Sequence, residues 1–244
     1  MRLKKFLYSS IALSLICAIT AGFLIKKGII WFTTPYELFY KVKGIDVSSY
    51  QGDIDWQVIS DEGISFAFIK ATEGSSHKDK FFQKNWEAAG NTDLRIGAYH
   101  FFSFDSTGDT QADNFIEAVS IKDNMLPPVV DIEFYSSKNK EVPSVEETHE
   151  ILNALLKKLE DHYKMKPIIY ATRSSYSRYI KGYYPEYDIW IRDLFFYPML
   201  FDDQKWTFWQ YNNQKKLKGY KGVEKNIDLN FYNGDLEKFK KYNK

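Results

Sequence analysis

From residue 44 onward, short apolar runs rich in β-branched and aromatic residues alternate with amphipathic stretches, and this alternation constrains the fold more than any other feature. Residues 44–47, 66–70, 96–101, 129–132 and 168–171 read as buried strands. Residues 56–61, 81–89, 110–121 and 144–163 read as helices between them. The last carries its own start signal: Pro143 precedes Ser144, and Ser144 with Glu147 has the S-x-x-E form of a capping box. Leu152, Leu155, Leu156 and Leu159 then recur at helical spacing. Five strand–helix units in succession imply a parallel sheet covered by helices on its outside. After Tyr187 the pattern changes, and 188–191, 207–211 and 227–229 read as three strands without comparable helices. The expected fold is therefore α/β: an irregular TIM-like barrel of five βα units followed by three strands. An open doubly wound sheet is the rival, but the chain lacks the Gly-x-Gly-x-x-Gly turn of that architecture.

Ahead of this body lies a basic and apolar N-terminus. Residues 6–25 contain no charged side chain and are flanked by Arg2, Lys4 and Lys5 on one side and Lys26 and Lys27 on the other. Twenty helical residues reach ~30 Å, the thickness of a bilayer core. The expectation is an uncleaved signal-anchor over residues 1–27, with membrane contact through 6–25, a short tether at 28–42 and a single exported domain at 43–244. A cleaved secretory signal, which would leave the domain secreted, is the alternative, although Thr20-Ala21-Gly22 only approximates a small-x-small cleavage site. The slight basic excess before the apolar run places the N-terminus inside and the body outside the cytoplasm. Of 33 Lys and Arg residues, five lie in 1–27 without an acid, so the body holds 28 against 32 acidic residues, a net charge of −4. Nucleic acid is not the expected partner of such a body, because phosphates call for a basic face. One cysteine, Cys17, excludes an internal disulfide framework and a cysteine-based metal cluster.

In barrels of this kind the chemistry sits at the C-terminal ends of the strands. Asp46, Asp131, Glu133 and Asp228 all fall at or near expected strand ends. In Val129-Val130-Asp131-Ile132-Glu133, residues two apart share a face, so Asp131 and Glu133 point into the barrel mouth and Ile132 towards the helices. Two carboxylates in a half-buried site raise the pKa of one of them. The raised group keeps its proton and acts as general acid beside an anionic neighbour, as glycosidic cleavage requires. Tyr99, Tyr170, Trp190, Trp209 and Gln210 fall at strand ends too. Of these, Tyr99, Tyr170 and Trp209 are expected to stack on sugar faces, with Gln210 bonding hydroxyls. His100 reads as a satisfied core histidine, and Lys70 with Glu73 as a structural ion pair at the barrel floor. The four histidines show no metal-ligand spacing, and no metal or organic cofactor is implied.

The segments Gly44-Ile45-Asp46-Val47-Ser48-Ser49-Tyr50-Gln51-Gly52 and Ile54-Asp55-Trp56 resemble the opening signature of glycoside hydrolase family 25, the Chalaropsis-type lysozymes. Matching motifs follow in order: 68–74, 97–101, Pro128 to Glu133, Ile169-Tyr170, Trp209-Gln210-Tyr211 and 227–230. The resemblance implies an irregular barrel and hydrolysis of the β-1,4 bond from N-acetylmuramic acid to N-acetylglucosamine in peptidoglycan glycan strands. It implies Glu133 as proton donor and Asp131 as its partner, orienting the substrate N-acetyl group or a water. Asp46 and Asp228 match the other two acids of the family's site, and Tyr99, Tyr170 and Trp209 match aromatic positions lining its groove. Ser49 departs from the His or Asn frequent in the first motif. Two other readings stay open: a membrane-tethered peptidoglycan-binding protein without catalysis, and a glycosidase of another N-acetylated polymer such as chitin. The first would be marked by loss of Glu133 or Asp131, and neither is lost. The chitinase-like D-x-x-D-x-D-x-E pattern is not met, with Leu126 where its first acid would fall.

Overall fold

The computed structural model describes residues 2–27, 31–135, 138, 140–200 and 204–243. Its strands are β1 (Lys43–Val47), β2 (Phe66–Glu73), β3 (His77–Lys78), β4 (Arg95–Phe101), β5 (Val129–Ile132), β6 (Ile168–Thr172), β7 (Ile189–Arg192), β8 (Trp206–Lys215) and β9 (Ile227–Tyr232). The sheet order is β1-β9-β8-β7-β6-β5-β4-β2, and β1 pairs with β2 again, so the sheet closes into a barrel of eight strands. The two-residue β3 stands outside the closure as a hairpin on the end of β2. All neighbouring barrel strands run parallel except β9, which runs against both β8 and β1.

Helices α2 (Trp56–Asp61), α3 (Phe82–Gly90), α4 (Gly108–Ala118) and α5 (Val145–Tyr163) follow the first four parallel strands. The fifth unit has only α6 (Arg173–Ser175), which runs into a π-helical turn over Tyr176–Ile180. At the head of α5 the Ser144 hydroxyl oxygen accepts the Glu147 backbone N–H at 3.2 Å and donates to the Glu147 carboxylate at 2.8 Å. The helix thus starts on the two residues expected of a capping box, with the carboxylate closing onto the hydroxyl rather than onto the Ser144 backbone. β2 runs past the expected end at Lys70 through a bulge between Lys70 and Thr72, and β8 runs past Tyr211 because β9 pairs with it as far as Lys215.

Period-two alternation builds two cores. Ile45, Ala67, Ile69, Val130, Ile132, Ile169 and Ile191 point outward onto the helices. Phe66, Phe68, Val129, Ile168, Trp190, Phe208 and Tyr232 fill the barrel interior. Phe68 stacks on Trp190 with centroids 4.5 Å apart, and Phe208 meets Phe68 edge-on at 5.2 Å. Rings of this size fit only because the facing strands carry glycine. A Cβ at Gly44 would lie 2.2 Å from the Phe66 ring, and one at Gly97 would lie 2.7 Å from the Phe68 ring. The end remote from the strand C-termini is closed by α7 (Leu236–Lys241), whose Phe239 joins the interior cluster. Arg95 holds α7 in place, donating to the Phe239 carbonyl at 2.8 Å and lying over its ring.

The N-terminal helix α1 (Arg2–Lys26) contains the apolar stretch Phe6–Ile25, none of which is buried in the protein. Of the expected tether at 28–42, residues 28–30 lie outside the described residues, and the remainder is no free linker. It forms a strap on the outer face of β8 and β9, where no helix of the described residues covers the barrel. The Thr33 hydroxyl donates to the Tyr211 carbonyl at 2.5 Å, and a 3-10 turn over Thr34–Leu38 follows. Tyr36 and Tyr40 pack edge-on against Trp209 at 5.1 and 6.2 Å, and Glu37 pairs with Lys43 at 2.6 Å. Apolar surface on β8 and β9 that helices would bury elsewhere is buried here by the strap.

Because the Gly97 site has no room and Phe68 is wedged between Trp190 and Phe208, Gly97→Ala is expected to destabilise the fold by ~1–3 kcal/mol, the usual range for overpacking. Thermal unfolding followed by circular dichroism checks this, and Phe68→Leu in the same chain is expected to restore part of the loss.

Candidate active site

The same alternation that places Phe68, Trp190 and Phe208 in the interior brings the next inward residue of each strand to the barrel mouth. These are Asp46 on β1, Lys70 on β2, Tyr99 on β4, Asp131 on β5, Tyr170 on β6, Arg192 on β7 and Gln210 on β8. Glu133 follows two residues after Asp131, just beyond the end of β5. Asp228 reaches the same place from the start of β9, because β9 is antiparallel and its first residues lie at the mouth. Together these side chains line an open cleft of 570 Å³.

Amide side chains bind the acids together. Gln210 Nε2 donates to Asp46 Oδ2 at 2.9 Å and to Asp228 Oδ2 at 3.3 Å. Asn230 Nδ2 donates to the same Asp46 oxygen at 2.8 Å. Both amides are oriented from behind: the Tyr170 hydroxyl donates to Gln210 Oε1 at 3.1 Å, and Trp190 Nε1 donates to Asn230 Oδ1 at 2.8 Å. Asp131 is treated differently. It is buried, and its Oδ1 has no partner in the protein. Glu133 is half-buried, closer to the open side of the cleft.

Burial raises the pKa of all four acids, because the charged form loses water. Repulsion adds to this: Glu133 and Asp46 act on Asp131, and Asp46 acts on both Glu133 and Asp228. Opposing this, the Asn230 and Gln210 amides and then Arg192 favour charged Asp46, and Lys70 and then Arg192 favour charged Asp131. Arg192 and then Lys70 favour charged Glu133, and Arg192 favours charged Asp228. The phenols of Tyr99 and Tyr170 are pushed well above their ordinary value by burial and then by the surrounding acids. Both therefore stay neutral, Tyr170 donating its O–H to Gln210 Oε1. His100 is set behind this layer, buried between Thr72 and Gln111. The Gln111 amide already gives its N–H groups to the Ser103 and Ser106 carbonyls, so its oxygen must accept from His100 Nε2. That leaves Nδ1 to accept from the Thr72 hydroxyl, and burial lowers the His100 pKa to about 4. Among the described residues, no group of three or more His, Cys, Asp or Glu is arranged to hold a metal ion.

Comparison with known proteins accords with this geometry. The sequence profile of glycosyl hydrolases family 25 matches residues 45–220. The chain belongs to glycoside hydrolase family 25. It is 32% identical to lysozyme M1 of Streptomyces globisporus over 208 residues, which covers 79% of this chain and 68% of that protein. Its fold is similar to a family 25 glycosyl hydrolase of Bacillus anthracis, with a TM-score of 0.80 and 52% identity over 84% of this chain and 94% of that one. A bacterial lysozyme of Streptomyces coelicolor is also similar, with a TM-score of 0.75 and 30% identity over 83% and 96% of the two chains. As a member of this family the chain is a glycoside hydrolase of the lysozyme type.

Of the residues expected at the site of this family 25 enzyme, Asp46, Asp131, Glu133, Asp228, Tyr99, Tyr170 and Gln210 all line the cleft. Trp209 does not. It is fully buried on the opposite face of β8 under the strap, donating Nε1–H to the Asp193 carbonyl at 2.7 Å. The reason is the strand period: with Phe208 and Gln210 turned inward, residue 209 must turn outward. Lys70 and Glu73 pair at 2.7 Å as expected, but at the mouth rather than the floor, because the inward residues before them, Phe66 and Phe68, already occupy the interior. Arg192 and Asn230 were not singled out from the sequence. Each stands two residues from a residue that was noticed, Trp190 and Asp228, and the period that joined Asp131 to Glu133 would have found both.

Asp131 carries an unpaired buried oxygen beside a second carboxylate, so its charge weakens the fold. Asp131→Asn is expected to raise stability by about 1 kcal/mol, or ~2–4 °C in Tm for a chain of this size, while lowering activity. A carboxyl whose folded-state pKa is raised stabilises the fold at low pH and loses that contribution as pH rises. The Tm advantage of the variant is therefore expected to grow from about pH 4 upward. Thermal scans of both proteins across pH check the sign, and a variant less stable at neutral pH would contradict it.

Proposed function

We propose that this family 25 enzyme cleaves the β-1,4 bond between N-acetylmuramic acid and N-acetylglucosamine in peptidoglycan, with Glu133 as general acid and Asp131 as its carboxylate partner. The observation that carries the reading is the position of these two acids: two residues apart at the end of β5, on one face, in an acid-lined cleft. Glu133 sits nearer the open side and has its pKa raised by burial, which suits a group that must be protonated when substrate arrives. Its proton passes to the glycosidic oxygen as the bond from the muramic acid C1 to that oxygen breaks, and water then supplies the hydroxyl at C1 and returns its remaining proton to the carboxylate of Glu133. Positive charge developing at C1 faces Asp131, Asp46 and Asp228, whose anionic forms favour it. The Asp131 carboxylate lines the cleft beside Glu133, where it can accept the N–H of a substrate acetamido group or a water. Tyr99 presents a neutral phenol to the sugar, while Tyr170 and Gln210 hold the acids in place behind it.

Retention of both Glu133 and Asp131 favours catalysis over a purely binding role, and chitin stands as the competing substrate. The setting we propose is the outer side of the membrane, with the apolar helix Phe6–Ile25 as an anchor and the barrel outside the cytoplasm. Tethering of this kind raises the effective concentration of enzyme at the wall without a separate binding module.

Glu133→Gln removes the donated proton and keeps the shape of the side chain. The expected outcome is loss of turnover by at least ~100-fold, the lower range for general acid catalysis, with binding of glycan retained. Turnover and pull-down on purified peptidoglycan measure both. Substantial residual hydrolysis by the variant would sink the assignment of Glu133.

A further inference from the structure

Between β7 and β8 the chain leaves the barrel as a loop that begins at Asp193, directly after Arg192 of the cleft. This loop is fixed from beneath. Asp193 pairs with Arg173, and its Oδ1 accepts the backbone N–H groups of Phe195 and Phe196 at 3.1 and 2.9 Å. It is also fixed from the side by the strap: Trp31 Nε1 donates to the Leu194 carbonyl at 2.7 Å, and the rings of Trp31 and Phe32 lie 5.9 and 5.6 Å from that of Phe195. Yet the rings so carefully held face water. Phe32 is 56% exposed, Phe195 51% and Phe196 69%. None of them lines the cleft, so sugar binding does not account for them.

The sequence supplies what covers this patch. The apolar span ends at Ile25, and Trp31 follows Lys27 by four residues. Four residues of fully extended chain reach at most ~14 Å, and the headgroup layer on each side of a bilayer core is itself ~5–8 Å deep. A strap that starts this close to the span cannot hold its aromatic rings far from the lipid surface. Tryptophan and other aromatic side chains settle at that depth, with their rings among the headgroups.

We propose that Trp31, Phe32, Phe195 and Phe196 form a second membrane contact, an interfacial foot that docks on the outer leaflet beside the anchor. The inference rests on the anchor reading given above. The foot joins the strap to the loop that continues from the cleft's Arg192, so docking fixes the barrel's orientation and holds the mouth of the cleft close to the leaflet. A barrel on a slack tether would rotate freely instead.

The test uses the full chain in phosphatidylcholine vesicles. With Cys17 replaced by Ser, Phe196→Cys carries an environment-sensitive fluorophore, and Ile121→Cys, an exposed site after α4, carries it in a control chain. Hydrolysis of soluble glycan by each labelled chain shows that it is folded. The expected result is co-flotation with vesicles, a blue shift and strong quenching by lipid-borne nitroxide at position 196, and neither change at 121. Co-flotation with a water-like signal at 196 would overturn the foot and leave the anchor standing. A chain that fails to float would overturn the anchor and the foot with it. The wild-type chain gives an independent reading, since Trp31 alone among its six tryptophans is not buried. Quenching of its emission by brominated lipid is expected, and emission indifferent to that lipid would count against the foot.

Discussion

Two amide groups, those of Gln210 and Asn230, tie the acidic mouth of this barrel together. They converge on one oxygen of Asp46 at the seam where antiparallel β9 closes the sheet onto β1. Behind them stand Tyr170 and Trp190, so the network reaches from β6 through β7, β8 and β9 to β1. Each member comes from an inward position of its strand. A slip of one residue anywhere along it would turn an amide outward and leave Asp46 buried without partners. Because β9 runs backwards, its first residues rather than its last reach the mouth, and this is how Asp228 comes to face Asp46 across the seam.

Holding four carboxylates in one cleft costs stability, and the molecule offsets it unevenly. Asp46 receives two amide donors, whereas Asp131 is left with an unpaired oxygen. Arg192 opposes the charge on all four without neutralising the cleft. Burial favours the protonated form of all four, and a glycosidase needs one such group to give a proton. The aromatic interior supports the arrangement from below. Phe66, Phe68, Trp190 and Phe208, fitted against Gly44 and Gly97, form a dense floor that leaves the polar layer no room to sink.

Much of this was legible in the sequence because period two is a strong signal. The apolar runs located every barrel strand, and D-x-E placed Asp131 and Glu133 on one face correctly. Structure and expectation part where depth and facing along a strand depend on its neighbours. Trp209, a ring at a strand end, reads as a groove residue, but adjacent residues cannot share a face and it is Gln210 that turns inward. Lys70 was put at the floor because depth along a strand depends on which inward residues precede it, here Phe66 and Phe68. Residues 31–42 read as a tether because nothing local marks them for packing. Their partners, Trp206, Trp209, Tyr211 and Phe231, lie far along the chain, on strands expected to lack helices but brought beside residues 31–42 only by the tertiary structure.

The most direct measurement of the central claim is digestion of purified peptidoglycan by the full chain, followed by borohydride reduction and mass spectrometry of the new ends. Cleavage driven by Glu133 and Asp131 on the muramic acid side predicts reduced N-acetylmuramic acid at those ends. Reduced N-acetylglucosamine, or an undigested polymer with the enzyme bound to it, would contradict the account.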